Sequence, residues 1–470
     1  MKKILLYSMG PLGVAALSFI TLPLLAWVSS PETVAIYSLF TITLNLAVML
    51  CTLGLDQSLV RFYYENKFSQ LFVSTLFPGF SLLLLLIISI MLFDIDFSYI
   101  TIGKTGFELF IITGVVFAYF SRFFSLILRM EDRALQYSFC QLLPKVWLLA
   151  VLLFILLYSL DANEKSIVLT LMLGWVLVFF YQLFELRKIL FNLKNYTYNI
   201  KVNQQVWKYG LPLLVSSCSY YLLTVSDKYF IKELLSLDDV AMYAAAAHFA
   251  NVVFILQSIF VSIWPPMIFR LYSNKNKGVP FLITSTLNVV LFVVLIIWAV
   301  VGMISYPVTK LLPENYQGIR VLIPILVAVP ILCLLSEVSG IFINLRGKTY
   351  YHTISTLIAL TVNIILNFFL IPMLGVVGGA VATLTSFYIL FVLKTELSIR
   401  EGASFKRLYI YGSLFLFVFI SIALALINLS WINDLIIWLM SLACMCVIVF
   451  FHKSKLVDKL QEIKRSYRNA

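Results

Sequence analysis

The sequence predicts an all-α polytopic membrane protein with about 14 transmembrane helices, and three observations support this fold class. Hydrophobic residues make up 62% of the 470 residues and charged residues only 12%, whereas a soluble domain carries about 25% charged residues. Apolar stretches of about 20 residues, the length that crosses a bilayer as a helix, recur along the chain. Lysine and arginine collect in alternate connections between these stretches. The sequence therefore predicts no separate soluble domain.

The apolar stretches define the predicted spans. The first six lie near residues 7–28, 34–56, 71–93, 107–128, 137–159 and 166–186. A further eight lie near residues 206–226, 240–267, 280–305, 319–342, 352–373, 375–394, 408–428 and 431–451. They predict an N-terminal six-helix lobe at 1–200, a C-terminal six-helix lobe at 201–400 and an additional helix pair at 401–451. Residues 452–470 are predicted to form a basic cytosolic tail that lies on the anionic inner leaflet.

The positions of lysine and arginine predict the orientation in the membrane. With the N-terminus in the cytosol, most of these residues fall in predicted cytosolic segments, as the positive-inside rule requires. The few that fall in predicted outer connections are Lys104, Lys165, Lys228, Lys232, Lys310 and Arg320. We therefore expect both termini in the cytosol and a location in the bacterial cytoplasmic membrane. The net charge of +12 follows from this topology and indicates no nucleic-acid partner.

Short motifs recur in the same order in the two halves of the chain, which predicts a repeated lobe. The matching pairs are residues 7–11 with 209–212, residues 34–37 with 240–243, and residues 61–63 with 270–272. Because six predicted spans separate the copies, both copies would enter the membrane in the same direction. We therefore expect a parallel repeat about an axis along the membrane normal, with two lobes that face a central cavity.

Two cations lie inside predicted spans, Arg122 in the fourth and Lys145 in the fifth. At 1.5 Å per residue, both would lie about 9 to 12 Å from the cytosolic end of their span. A cation at this depth costs at least about 2.5 to 3.5 kcal/mol unless it faces water, an anion or an acidic partner. These two spans supply no carboxylate there. Either the two cations line a basic cavity that receives an anionic head group such as a pyrophosphate, or both extend to the cytosolic surface.

Two acidic residues are candidates for gating or ion coupling. Glu337 lies inside the tenth predicted span, where it would pair with a cation, couple transport to an ion, or mark the membrane interface. Asp227 and its neighbour Lys228 end the seventh predicted span at the outer face. There the two residues would form part of an outer gate or mark the water boundary.

Proline residues interrupt two predicted spans, Pro11 and Pro23 in the first and Pro212 in the seventh. Each proline removes a backbone hydrogen bond where water cannot replace it, so we expect both helices to kink. Broken helices line the pathway in many transporters, which makes the three prolines gating candidates. Proline is also common in membrane helices of every kind.

The sequence predicts no catalytic residue, no metal site and no cofactor. All six cysteines lie in apolar stretches without the spacing of metal ligands. His248 lies inside a predicted span, where a membrane acyltransferase would need a histidine, but one histidine without a second polar partner is better explained by a hydrogen bond between helices. We therefore expect a protein that is not an enzyme.

Several stretches resemble the polysaccharide transporters of the multidrug/oligosaccharidyl-lipid/polysaccharide flippase superfamily, which include the Wzx-type O-antigen and teichuronic acid flippases. They are GPLGVAALSFITLPLLAWVSSPETVAIYSLF from Gly10, LGLDQSLVRFYYE from Leu53, and the region from YGLPLLVSSCSYYLLTVSDKYFI at Tyr209 through WPPMIFRLY at Tyr272. The run from Leu366 through IPMLGVVGGAVATL is similar to the turn between helices 11 and 12 of this family.

The resemblance implies a protein with two six-helix lobes that moves a polyprenyl-diphosphate-linked oligosaccharide from the inner to the outer leaflet. It also implies a cationic cavity, to which Arg122, Lys145, Arg61 and Lys228 would contribute. The implied partners are the lipid-linked oligosaccharide, membrane lipids, and a glycan polymerase with its chain-length machinery.

Together these observations predict a membrane flippase for surface polysaccharide biosynthesis that works by alternating access. The nearest alternative is a cation-coupled drug or metabolite antiporter of the same fold, which would need a deep carboxylate in the first lobe; none is evident in the sequence. A membrane glycan polymerase or acyltransferase would need a large outer loop or several intramembrane catalytic residues. The predicted outer loops are short.

Overall fold

The computed structural model describes residues 2–93, 96–191, 199–273, 278–427 and 430–451. Over these ranges the chain is helical without a β-strand, which confirms the predicted all-α class. The α-helices are α1 Lys2–Val28, α2 Pro31–Thr52, α3 Leu55–Phe62, α4 Phe68–Leu92, α5 Phe97–Ile102, α6 Glu108–Met130, α7 Ala134–Leu157, α8 Glu164–Phe191, α9 Ile200–Leu234, α10 Leu237–Ala250, α11 Phe254–Ser273, α12 Val279–Thr309, α13 Ile319–Leu326, α14 Ala328–Ser339, α15 Ile341–Leu345, α16 Tyr350–Leu374, α17 Val376–Arg400, α18 Arg407–Ile427 and α19 Trp431–Phe451. Short 3-10 helices occur at Asn251–Val253 and Glu314–Tyr316.

The helices are those of a multi-pass membrane protein. In the described part of the chain, 12 segments are long and apolar enough to cross a membrane. The predicted number of 14 stays a prediction for two reasons. Serines, tyrosines and charged residues interrupt the apolar sequence of α9. The apolar segment found in α19, Trp431–Ala443, is shorter than the segments counted as spans. The predicted basic tail at 452–470 lies outside the described residues.

The chain forms two compact units, Met1–Val225 (unit 1) and Ser226–Ala470 (unit 2). The boundary falls inside α9, so this helix begins in unit 1 and ends in unit 2. The lobes at 1–200 and 201–400, the helix pair at 401–451 and the parallel repeat stay predictions.

Buried aromatic rings fill the interior of unit 1. The side chains of Phe40, Tyr119 and Phe123 are almost completely buried, and the rings of Tyr119 and Phe123 lie 5.2 Å apart. The Tyr119 hydroxyl donates a hydrogen bond to the Leu76 carbonyl oxygen at 2.5 Å. This bond matters because a buried hydroxyl has no water available and needs a partner from the protein. It joins α6 to α4.

Buried tryptophans fill part of the interior of unit 2. Trp298 of α12 and Trp438 of α19 are buried, and both pack against Phe417 of α18, with ring centroids 5.7 and 6.5 Å from it. The Trp298 Nε1 donates to the Pro324 carbonyl oxygen at 2.7 Å. Ring packing and the hydrogen bond of the Trp298 indole therefore hold these helices together.

Three predicted spans consist of more than one helix in the structure. The second ends with α2 and enters α3 after two left-handed residues. The eighth contains α10, a 3-10 helix and α11, and the tenth contains α13, α14 and α15, and each of these two still crosses as one apolar segment. Hydropathy alone misses these breaks because the residues on both sides of each break are apolar.

The break between α2 and α3 positions the start of α3. Leu53 and Gly54 both adopt the left-handed conformation, with φ of 53° and 71°. A Cβ atom on Gly54 would lie 2.2 Å from the Gly210 carbonyl oxygen, so the α2–α3 break lies directly against the backbone of α9. The Ser58 hydroxyl of α3 donates to the Val206 carbonyl oxygen at 2.8 Å. Glycine at 54 therefore serves both the turn and the close approach.

We predict that Gly54→Ala lowers the free energy of unfolding by about 1 to 3 kcal/mol, because it combines left-handed strain with a clash against the α9 backbone. Gly412→Ala is the matched control, since a Cβ on this exposed helical glycine meets open space. The control is expected to be neutral or stabilising. Thermal unfolding of the detergent-purified proteins measures both, and equal melting temperatures for the two variants would contradict the prediction.

Candidate functional site

A cavity of about 220 Å³ that several polar side chains line lies in unit 1 beside the break between α2 and α3. Helices α2, α3, α6 and α9 supply its lining. The residues that line it are Asn45, Val48, Met49, Thr52, Gly54, Asp56, Gln57, Arg122, Leu214, Ser217 and Tyr221. Amide, hydroxyl and charged side chains are costly inside apolar helices. Their convergence at one cavity makes it the candidate substrate site.

An ion pair between Asp56 and Arg122 forms one wall of the cavity. The Arg122 Nε and Nη2 atoms both donate to Asp56 Oδ2, at 3.0 and 2.9 Å. The Asp56 side chain is only 8% exposed, whereas that of Arg122 is 46% exposed. The buried carboxylate therefore holds one edge of the guanidinium and leaves its other N–H groups available to a ligand.

The acidic partner of Arg122 comes from outside the fourth and fifth predicted spans, which supply no carboxylate at this depth. Its partner comes from α3, and the second predicted span placed Asp56 at the end of a continuous helix facing the cytosol. The break at Leu53 and Gly54 starts a new helix, and Asp56 then lies in its first turn. Arg122 is eight residues from the end of α6 at Met130, about 12 Å along the helix axis. The pair is therefore well inside the helical unit.

Lys145 has a different environment. It lies half-buried on α7, 11 residues after Ala134, which is about 16 Å along the helix and deeper than the sequence indicated. Its Nζ donates to the Tyr37 hydroxyl at 3.0 Å and lies 5.7 Å from the centre of that ring. No carboxylate of the described residues lies within ion-pair distance of this ammonium. Lys145 and Arg122 thus have separate partners, and Lys145 is not among the residues that line the cavity.

The other predicted binding and gating residues lie outside the cavity lining. Arg61 is half-exposed on α3 and pairs with Glu65 at 2.5 Å, and Lys228 lies half-buried on α9 next to Asp227. Glu337 is half-buried on α14, and its side chain forms neither an ion pair nor a hydrogen bond with another described residue. Pro11 and Pro23 lie inside the continuous helix α1, and Pro212 lies inside the continuous helix α9, so the predicted kinks stay predictions. Their role in gating stays a prediction.

Asp227 belongs to a buried polar cluster in unit 2. The sequence placed it at the outer membrane surface, but its side chain is 1% exposed. Its Oδ2 accepts hydrogen bonds from the Tyr243 hydroxyl of α10 and from the Thr383 hydroxyl of α17 at 3.0 Å. The interpretation that Asp227 marks the water boundary is therefore wrong, because surrounding helices cover it.

The cluster continues onto α16. The Asn363 Nδ2 donates to the Thr383 hydroxyl at 3.3 Å, and its Oδ1 accepts from Ser226 at 2.7 Å and from Asn367 Nδ2 at 2.9 Å. Two oxygens of the cluster, Asp227 Oδ1 and Asn367 Oδ1, are buried without a hydrogen-bond partner among the residues that the structure describes. A buried oxygen of this kind is costly unless something else satisfies it.

Sequence reasoning missed most of this cluster. Asn363 and Asn367 are four residues apart on an apolar helix, so their amides lie on the same face. This spacing was the available signal. No sequence signal pointed to Thr383, because a threonine among small residues is typical of helix packing in membranes. Among the described residues, no three His, Cys, Asp or Glu side chains come together to hold a metal ion.

Residues 1–272 match the sequence profile of a family described as "Polysaccharide biosynthesis protein". This match covers more than half of the 470 residues. The chain belongs to this family. The resemblance noted from the sequence is thereby confirmed, and no curated protein sequence matches this family member.

Solved structures of membrane flippases and transporters share the fold of this family member. "Lipid II flippase MurJ, inward closed conformation" matches with a TM-score of 0.69 and 16% identity, over 96% of this chain and 100% of that chain. An inward-facing multidrug resistance MATE family transporter of the MOP superfamily matches with a TM-score of 0.61 and 15% identity, over 82% of this chain and 94% of that chain. At these identities the likeness shows the fold alone.

We predict that Asp56→Ala lowers the free energy of unfolding by about 1 to 2 kcal/mol, because it removes both hydrogen bonds of Arg122 inside the unit. Glu65→Ala is the matched control, since it breaks the exposed pair with Arg61, and its effect is expected to stay within about 0.5 kcal/mol. Thermal unfolding in detergent compares the two. If Asp56→Ala lost no more stability than Glu65→Ala, the Asp56–Arg122 pair would not stabilise unit 1.

Proposed function

We propose that this protein flips a polyprenyl-diphosphate-linked oligosaccharide from the inner to the outer leaflet of the bacterial cytoplasmic membrane, by alternating access of two lobes and without covalent chemistry. The observation that carries the proposal is the cavity at the α2–α3 break, where amide and hydroxyl side chains and a half-exposed arginine converge between apolar helices. A saccharide head needs such polar groups during passage, because hydrocarbon offers its hydroxyl groups no partners.

The family and the fold agree with this proposal. The family description concerns polysaccharide biosynthesis, and one of the similar structures is titled a lipid II flippase. The antiporter alternative expected a deep carboxylate in the first lobe. Asp56 is a buried carboxylate there, but Arg122 already pairs with it, so this carboxylate is poorly suited to bind a coupling cation. We therefore favour the flippase.

The first test is the leaflet that holds the substrate. We predict that deleting the gene in its own host, with the glycosyltransferases intact, leaves lipid-linked oligosaccharide on the cytosolic leaflet and removes the surface glycan. Leaflet-specific labelling of the oligosaccharide measures this distribution. Normal arrival of single repeat units at the outer surface would exclude a required flippase and favour the polymerase or antiporter alternatives.

Lys145 is the proposed ligand of the diphosphate, because its ammonium has a phenol and no carboxylate as its described neighbour. A hydrogen bond to a charged group contributes about 1.5 to 3 kcal/mol, so Lys145→Ala is expected to lower transport by roughly 10- to 100-fold. Lys165→Ala, at an exposed lysine next to the start of α8, is the control. Rates are compared at equal protein levels in membranes. Unchanged transport by Lys145→Ala would contradict the proposal that Lys145 binds the diphosphate.

We further propose that Asp227 couples transport to a cation. The two unpartnered buried oxygens, Asp227 Oδ1 and Asn367 Oδ1, support this role. Carboxylate, amide and hydroxyl oxygens suit a proton or a hard cation such as sodium, and transporters bind coupling ions among discontinuous helices. Glu337, the second candidate from the sequence, has no such cluster around it.

We expect Asp227→Asn to abolish the dependence of transport on the sodium or proton gradient, because the amide keeps the shape and removes the charge. The control is Asp434→Asn, which removes a carboxylate of unit 2 that pairs with Arg320 at 3.4 Å. Proteoliposomes with imposed gradients separate the two ions. If transport by Asp227→Asn still depended on the gradient, Asp227 would not be the coupling residue.

A further inference from the structure

We infer that the cavity of unit 1 selects an uncharged sugar of the oligosaccharide, and that Asp56 sets this selectivity by neutralising Arg122. The inference rests on the proposed flippase function and names the chemical class of the saccharide at this site. The resemblance to cationic family cavities pointed the other way, toward an anionic group bound by Arg122. The geometry of the ion pair is what separates these alternatives.

The net charge of the cavity lining is zero. Asp56 and Arg122 are the charged residues among the described residues that line it, and each balances the other. Both donated N–H groups of Arg122 go to one oxygen, Asp56 Oδ2, at 3.0 and 2.9 Å. An acidic sugar would therefore meet an arginine that is already paired, with a buried carboxylate directly behind it. Like charges at close range in a low-dielectric site oppose binding.

The remaining polar lining suits hydroxyl groups. Asn45 and Gln57 contribute side-chain amides and Ser217 contributes a hydroxyl, groups that both donate and accept hydrogen bonds, as sugar hydroxyl groups do. The Thr52 and Tyr221 hydroxyls already donate to backbone carbonyl oxygens of α2, so they offer a sugar an acceptor oxygen. The volume of about 220 Å³ is below the range of about 300 to 1,000 Å³ typical of drug-sized ligands. The cavity thus fits a small part of the oligosaccharide rather than the whole head group.

Asp56 is held in place by the backbone around it. Gly54 abuts the Gly210 carbonyl oxygen of α9, and Ser58 bonds to the Val206 carbonyl oxygen at 2.8 Å. These contacts lie two residues before and two residues after Asp56. The carboxylate is therefore a fixed counter-charge for Arg122, and not a mobile side chain that an anionic sugar easily displaces. Asp56 acts through Arg122 and is a positioning residue.

The test compares two synthetic polyprenyl-diphosphate disaccharides that differ at one position, one with glucose and one with glucuronic acid. Flipping of each is measured at equal protein density in proteoliposomes with full-length protein. We expect the wild type to prefer the glucose substrate at least about tenfold, which corresponds to about 1.4 kcal/mol. Asp56→Asn leaves Arg122 as a net cation and is expected to reduce or reverse this preference. Glu65→Gln, at the exposed pair with Arg61, is the control and should leave the preference unchanged.

A second variant keeps the test decisive if Asp56→Asn does not fold. Asn45→Lys adds a cation to the lining and keeps both Asp56 and Arg122, and it should also raise the rate for the glucuronic acid substrate relative to glucose. Equal rates for both substrates in the wild type, with no change in either variant, would overturn the inference and leave the flippase function standing. Failure of the wild type to flip either substrate would instead overturn the proposed function, and this inference with it.

Discussion

A polar group surrounded by apolar helices has to find its partner inside the protein, and most features of this chain follow from that constraint. The constraint explains why the described residues are helical, since a helix satisfies its own backbone hydrogen bonds. It also explains the long-range side-chain bonds of the two units. Tyr119 bonds to a carbonyl oxygen of α4, and Trp298 bonds to a carbonyl oxygen of α13. Each bond ties the position of one helix to another.

The two units meet this constraint in different ways. Unit 1 contains a carboxylate and a guanidinium that pair with each other, so the charged groups that line its cavity have no net charge. Unit 2 contains a carboxylate with one well-bonded oxygen and one oxygen without a partner among the described residues, and the same polar cluster holds a carboxamide oxygen in the same condition. A neutral polar cavity suits a saccharide, and an under-satisfied group of oxygens suits a cation. On this contrast rests the proposal that unit 1 contacts the saccharide during passage and that unit 2 couples transport to a cation.

Part of the candidate site could be predicted from the sequence. Arg122 and Lys145 stand out because a cation in an apolar span is rare and expensive, and the motif from Leu53 onward was recognised as a family feature. The role of Asp56 within that motif could not be predicted, because it depends on two left-handed residues that redirect α3. Asp227 was predicted at a surface because the apolar stretch of its span ends near it. Hydropathy places the end of an apolar stretch but does not tell which helices cover that end.

By itself, the sequence determined the membrane class, the approximate positions of the helices and the family, because hydropathy, charge bias and local motifs are properties of contiguous residues. Only the tertiary structure decided that Asp56 pairs with Arg122, 66 residues away, and that Tyr243 and Thr383 donate hydrogen bonds to Asp227. Such pairings depend on which helix faces pack together. That choice is made by side-chain shape and polar satisfaction over the whole unit, and no local pattern encodes it.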